Sequence, residues 1–250
     1  MRPDPYAWAP HPEVLAGVVF IAFAYAAARP RFRPSPARIA AFAAGLAMIA
    51  VAVASPLESL SFHLLSMHLL QNVVLAEWAP ALLVLGVPPA MATALGGNTL
   101  IRWLTYPPVA LGTWLVVYFT WHIPAVYDTA LRHPDSLLHL EHLCYVLAGC
   151  LFWWPVIQSA PHDLSTGARA VYVFAAFMLG SPLGLLLTLL PSPAYDFYEH
   201  GRVWGLSQLG DQQVAGGTMV AEQSVVFFAV FAALFFRFLA EEEHRDEVPG

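Results

Sequence analysis

Histidine is the residue to follow in this sequence, because imidazole is the commonest protein metal ligand and also binds haem iron. The chain has ten of them. His139 and His142 stand three apart, so they share a face in the first turn of a helix, with Glu141 between them expected to point elsewhere. Gln71 and Asn72 follow His68 on its own helical face, while His63 and Met67 occupy a neighbouring one. His122 closes a helix in the run Trp121-His122-Ile123-Pro124. If these helices are neighbours, four imidazoles from three of them reach one depth, where a bundle core holds metals and cofactors. The plainer reading of any one of them is a helix cap or a headgroup contact, and for His11 and His200 that reading is favoured. No histidine is followed directly by glutamate and no Cys-x-x-Cys occurs, so the zinc-protease and zinc-ribbon patterns are missing.

Carboxylates form the second set. Glu77 falls about 15 residues into an apolar helix. Glu222 follows Asp211 by almost three whole turns, so both face one direction. An ionised carboxylate at mid-membrane costs about 2.5–3.5 kcal/mol on insertion scales, so each must be protonated, paired or beside water. Two readings stay open: a proton or cation path from Asp211 towards Glu222, or neutral carboxyls that tie helices together. Gly216, Gly217 and Thr218 permit close helix approach and favour the second. Cys144 and Cys150 lie inside one apolar segment, where core packing is expected before soft ligation. No nucleophile has a base nearby and Gly-x-Ser-x-Gly is absent, so an enzyme is not expected. There is no lysine, which removes a retinal Schiff base.

The elements that carry these residues are membrane helices. Hydrophobic residues make up 58% of the 250 and charged residues only 11%, against roughly 25% charged in an ordinary soluble domain. Too few charges remain to cover a soluble surface, and no basic patch suggests nucleic acid. Apolar stretches at about 13–28, 37–54, 62–85, 107–121, 137–157, 168–190 and 212–239 approach or exceed the length of about 20 residues that crosses hydrocarbon. The first, second and fourth are short and need flanking turns to complete the crossing. Backbone groups in lipid must be satisfied within the segment, and nothing alternates as a barrel strand does. The fold class is therefore all-α: one transmembrane domain over residues 1–250, a polytopic bundle of about seven helices.

All eleven basic residues are arginine. Placing Arg29, Arg31, Arg33 and Arg38 in the cytoplasm brings Arg102, Arg169, Arg237 and Arg245 to the same side. Arg2, Arg132 and Arg202 are left opposite. That bias puts the N-terminus outside and the C-terminus, with its acids Glu241, Glu242, Glu243 and Glu247, inside. His11, His63, His68, His122, His133, His139, His142 and His200 then share the outer face, and only His162 and His244 lie inside.

These segments resemble the multi-span bacterial CtaG family of cytochrome c oxidase assembly factors, over about residues 55–239. The motifs that carry the likeness begin with Met67-His68-Leu69-Leu70-Gln71, Ala79-Pro80 and Leu85-Gly86-Val87-Pro88. They continue with His122-Ile123-Pro124-Ala125-Val126-Tyr127-Asp128, His133-Pro134 and His139-Leu140-Glu141-His142, then Trp153-Trp154-Pro155 and Asp211-Gln212-Gln213-Val214-Ala215-Gly216. The resemblance implies a plasma-membrane protein that helps form a haem-copper oxidase, with an oxidase subunit as partner, membrane lipid around it and copper as the cargo. It implies metal handling by His68, His122, His139 and His142, with His63, Met67, His133, Asp128 and Asp211 close by. Many members carry a second histidine where this chain has Asn72, a poor copper ligand. Two other functions fit the residues alone: a bis-histidine haem cytochrome, and an ion or proton transporter that uses Glu77 and Glu222.

Overall fold

The computed structural model describes residues 4–8, 11–199 and 203–246, without the side chains of Arg245 and Asp246. Arg2, His200, Arg202 and Glu247 lie outside the described residues. Twelve α-helices run in chain order, and no strand occurs among the described residues. They are α1 (Pro12–Phe32), α2 (Pro36–Ala54), the short α3 (Pro56–Ser61), α4 (Leu65–Val73) and α5 (Ala79–Gly86). Next come α6 (Pro89–Gly96), α7 (Thr99–Leu104), α8 (Pro107–Trp121), α9 (Pro124–Arg132), α10 (His139–Ile157), α11 (Thr166–Leu189) and α12 (Gln208–Asp246).

Six of the resulting rods are long and apolar enough to cross a membrane, and a seventh is the pair α8 and α9, bent by 73°. The rods cover every apolar stretch of the sequence. α1 differs in extent: it continues through Arg29, Pro30 and Arg31 to Phe32. Proline supplies many of the starts, because its fixed φ and missing N–H suit the first helical turn. Pro12, Pro36, Pro56, Pro89, Pro107 and Pro124 all stand there. Side-chain oxygens of Ser35, Ser55, Asn98 and Ser165 cap others by accepting a backbone N–H.

α4 and α5 form one central rod, joined by a π turn at Val74–Trp78. Pro80 explains the turn. A proline inside a helix removes one N–H and collides with the carbonyl four residues back, here that of Ala76, and the wider π turn relieves the collision. The displaced Ala76 carbonyl projects at α10, where the chain carries Gly149. A Cβ on Gly149 would lie 2.1 Å from that oxygen and 2.7 Å from Pro80 Cγ. Glycine is therefore what lets α10 lie against the central rod. A second π turn, Pro134–Leu138, leads into α10.

The core fills with aromatic side chains, among them Trp114, Tyr127, Phe152 and Phe227. Outward faces carry Phe20, Phe23, Val171, Leu189 and Phe236, all exposed and suited to lipid. α1 is the least buried of the six single-helix spans; Tyr25 is its one buried residue, with its hydroxyl on the Gly86 carbonyl at 2.9 Å.

Candidate functional site: a histidine and carboxylate end

Successive crossings alternate in direction, so one end of the bundle collects His11, the turn with α3 and His63, the start of α4, the α8–α9 bend, the start of α10 and the start of α12. The other end collects most of the arginines. At the histidine end, the bend at His122-Ile123 is forced by Pro124, which excludes helical backbone in the residue before it. The bend turns the His122 ring into the bundle.

Three histidines occupy a buried layer there. His68 is fully buried, its Nε2 3.3 Å from Glu141 Oε1 and its Nδ1 3.4 Å from the Tyr198 hydroxyl. The His142 ring centroid lies 6.4 Å from that of His68. Tyr127 packs between the other pair, 4.8 Å from the His68 ring and 6.3 Å from His122. His122 holds its Nδ1 2.7 Å from the Tyr118 carbonyl, with the Tyr145 hydroxyl at 3.3 Å. That leaves its Nε2 buried with no hydrogen-bond partner, and His142 Nε2 and Glu141 Oε2 are in the same condition. Buried polar atoms are nearly always paired, so an unpaired set in one layer calls for an explanation.

Glu141 corrects the sequence reading. It does not point elsewhere but sits fully buried between α10 and α4, where its Oε1 also accepts the Asn72 amide at 3.0 Å. The asparagine that stands in for a family histidine thus serves to hold the carboxylate. Glu58 on α3 was missed altogether and is also buried; it accepts from the Gln71 amide, which also reaches the Ala52 carbonyl at 2.8 Å. A glutamate three residues past Ser55 in the first turn of a helix reads as part of a cap, and nothing local marks it as inward-facing.

His139 leaves the buried layer. It turns to the rim, where its Nε2 is 3.7 Å from Glu13 Oε1 and its ring is 4.8 Å from that of His11. His11, expected as a helix cap or headgroup contact, meets the buried Glu58: Nε2 to Oε1 is 3.6 Å. The neighbouring carboxylate of Glu58 raises the His11 pKa above its ordinary value against the opposing effect of burial. Burial pushes Glu58 upward, but His11 and its other neighbours outweigh that and hold it below the usual carboxylate value.

The remaining candidates have other surroundings. His133 is exposed, its Nδ1 2.9 Å from the Thr129 carbonyl at the end of α9. His63 and Met67 are half-buried. Asp128 accepts the backbone N–H groups of Asp196 and Phe197 at 3.1 and 3.2 Å, which pins the connection before α12 onto α9. Asp211 reaches across to cap α4, accepting Leu65 N–H at 2.6 Å and Ser66 N–H at 3.2 Å. Deeper in the bundle Glu222 accepts the Trp78 indole N–H at 2.6 Å. Glu77 accepts from Gln223 at 3.4 Å, and Gln223 also meets Tyr118 and Ser181. A cavity of about 10 Å³ lies between this network and the histidine layer, bounded by Asn72, Glu77, Tyr118, His122, Tyr145 and Gln223. Cys144 and Cys150 are half-buried and unbridged.

Comparison with known proteins gives these residues a context. The family described as cytochrome c oxidase caa3 assembly factor (Caa3_CtaG) matches residues 18–241. An uncharacterized protein of Mycobacterium leprae is 23% identical over 239 residues, 83% of this chain and 35% of that protein. Uncharacterized proteins of Mycobacterium bovis and Mycobacterium tuberculosis are each 25% identical over 254 residues, 88% of this chain and 37% of theirs. The chain thus spans little more than a third of the length of these relatives. No solved structure matches.

Proposed function

The chain belongs to the cytochrome c oxidase caa3 assembly factor family and is a multi-pass membrane protein, and from that premise we propose that it carries copper to the oxidase. The observation behind this reading is the buried layer of His68, His122 and His142 with Glu141, in which two imidazole nitrogens and one carboxylate oxygen have no partner. Imidazole suits copper, and a carrier needs ligands that bind without caging. The half-buried Met67, beside His68, adds a thioether of the kind that favours Cu(I) on softness grounds. Arginine asymmetry supports an extracytoplasmic setting for this end of the bundle. The exposed apolar faces of the outer helices offer the surface on which an oxidase subunit docks within the membrane.

On its inner side His122 borders a cavity of about 10 Å³, the size of one water molecule, and on its outer side an open groove of about 690 Å³ along Leu115, Phe119 and Leu183. The role is non-catalytic: the protein holds the ion, orients it through Glu141 and Asn72, and releases it.

Loading the purified protein with Cu(I) and counting metal tests the reading. One tightly held copper is expected, lost in a His68→Ala/His142→Ala variant, with a matching loss of oxidase copper in cells that depend on that variant. Absence of copper in the wild type, or equal loading in the variant, would overturn it.

A further inference from the structure

The histidine end contains a second cluster, separate from the buried layer and exposed at the rim. His11, Glu13 and His139 each offer a ligand atom, and these atoms all lie within 4.8 Å of one another. His11 Nδ1 is 3.5 Å from Glu13 Oε1, and His139 Nε2 is 3.7 Å from the same oxygen. Donors held at roughly 2.0–2.2 Å from a common ion are separated by roughly 3.3–3.6 Å in a tetrahedron, so the cluster needs little movement to close on a cation. His139 Nε2 is buried with no hydrogen-bond partner, although it faces a carboxylate and an imidazole.

Glu58 supplies the observation that turns the cluster into a site. Its side chain is 1% exposed, and its Oε1 faces His11 Nε2 at 3.6 Å, on the opposite side of the ring from Glu13. A buried carboxylate facing one imidazole nitrogen favours the proton there and leaves the other nitrogen as a lone pair, the way metal-binding histidines are held in one tautomer. The ring of His11 is thus placed with Nε2–H towards Glu58 and Nδ1 towards Glu13 and His139.

We propose that His11, Glu13 and His139, backed by Glu58, form a binding site for a divalent first-row cation that joins α1 to α10. Two imidazoles and a carboxylate are donors that suit divalent first-row ions. Among these Cu²⁺ binds most tightly and Zn²⁺ less so. Behind the site a cleft of about 300 Å³ opens between α1, α2 and α10, with both His139 and His142 on its wall. The rim therefore stands where an ion enters on its way to His142. That role rests on the copper-carrying reading above; the binding itself does not. α1 has little else to hold it, since Tyr25 alone is buried, and a bound ion adds a bridge at its outer end.

The test uses the purified full chain and two probes, Zn²⁺ titrated by calorimetry and Cu²⁺ followed by electron paramagnetic resonance. One divalent ion per chain is expected, with nitrogen couplings from two imidazoles in the copper spectrum. His11→Ala and His139→Ala each weaken Zn²⁺ at least tenfold, and Glu58→Gln weakens it by roughly tenfold through the loss of its hold on His11. His162→Ala, at the opposite end of the bundle, leaves it unchanged, and because the rim residues are partly exposed their variants should remain folded, as checked by unfolding midpoints. No divalent binding by the wild type, or Zn²⁺ affinity within twofold of wild type in the His11→Ala/His139→Ala variant, overturns the site. Failure of the carrier reading is seen elsewhere, as missing Cu(I) in the buried layer with Zn²⁺ binding at the rim intact.

Discussion

The two ends of the bundle handle polar groups in opposite ways. At the arginine end the side chains close off helix termini. Arg38 donates to the carbonyls of Leu85 and Val87 at 2.8 and 2.6 Å, Gln158 donates to Val84 and Val87, and Arg169 donates to Val156 and Leu164. Last-turn carbonyls have no partner within the helix, so cations and amides there complete the hydrogen bonding. At the histidine end Glu58, Gln71, Asn72, His122, His139, Glu141 and His142 each keep a buried polar atom without a hydrogen-bond partner, Glu77, Trp114 and Glu222 keep one deeper in the bundle, and the arginine end adds the Trp153 indole among the described residues. One end is finished as structure. The other is left with free ligand atoms, and an unpaired buried polar atom costs about 1–3 kcal/mol. Such unpaired donors, gathered at one end, are what the proposed ion would use.

The largest expected effect comes from dismantling the histidine end alone. Gly149→Val drives a side chain into the Ala76 carbonyl and the Pro80 ring, and overpacking against backbone is expected to cost about 3 kcal/mol. Because α10 carries Glu141 and His142, its displacement should abolish Cu(I) loading even in the fraction that folds. Denaturation in detergent and metal counting check both. Normal loading by a destabilised Gly149→Val protein would show that the layer does not depend on this approach.

Arg38→Ala is the counterpart at the opposite end. Loss of hydrogen bonds from a charged donor is expected to cost about 2 kcal/mol, while copper per folded molecule stays at the wild-type value. If loading falls as far as in His142→Ala, the division between a structural end and a binding end is wrong. Asp211→Ala has a smaller effect than either. It removes a cap from α4, for an expected loss of about 1 kcal/mol, and Asp211→Asn should recover most of it because asparagine caps nearly as well. Unfolding midpoints of the two variants give the comparison.

Much of this contrast was legible in the sequence, and the exceptions have physical reasons. Hydropathy located every span because lipid demands long apolar runs, and counting turns put the histidines at one end. The positions of rings within that end depend on features with weak local signatures. Pro80 signals a disturbance in its helix but not that a π turn will absorb it, and the partner of that turn, Gly149, is about 70 residues away. Glu141 looked outward because His139 and His142 were assumed to share a single target. In the structure they diverge, one to the rim and one to the layer, and the carboxylate between them faces His68. Glu58 and His11 were invisible as a pair because each alone resembles a helix-start residue, and only the approach of the chain before α1 to α3 joins them.

The smallest effect concerns that pair and sharpens the contrast further, since an end built to bind cations should respond to protons where the arginine end does not. His11 has a raised pKa, so its contact with Glu58 contributes stability that is complete below the ordinary histidine value of about 6.5 and is lost as pH rises through the raised value. Glu58 has a lowered pKa, so its share is present above the ordinary value of 4.5 and is lost as pH falls through the lowered one. With chelator present, the outer end of α1 should therefore be held best between about pH 4.5 and 6.5. The gain is a few tenths of a kcal/mol, as expected of a partly exposed pair. Hydrogen exchange at the start of α1 measures it, and His11→Ala should flatten the profile. Added Zn²⁺ reverses the slope, because the ion takes the place of the proton on His11 and binds best once the imidazole is neutral. Protection then rises with pH instead of falling, and a profile that keeps its direction with Zn²⁺ present would mean that the two imidazoles at the rim answer to protons alone.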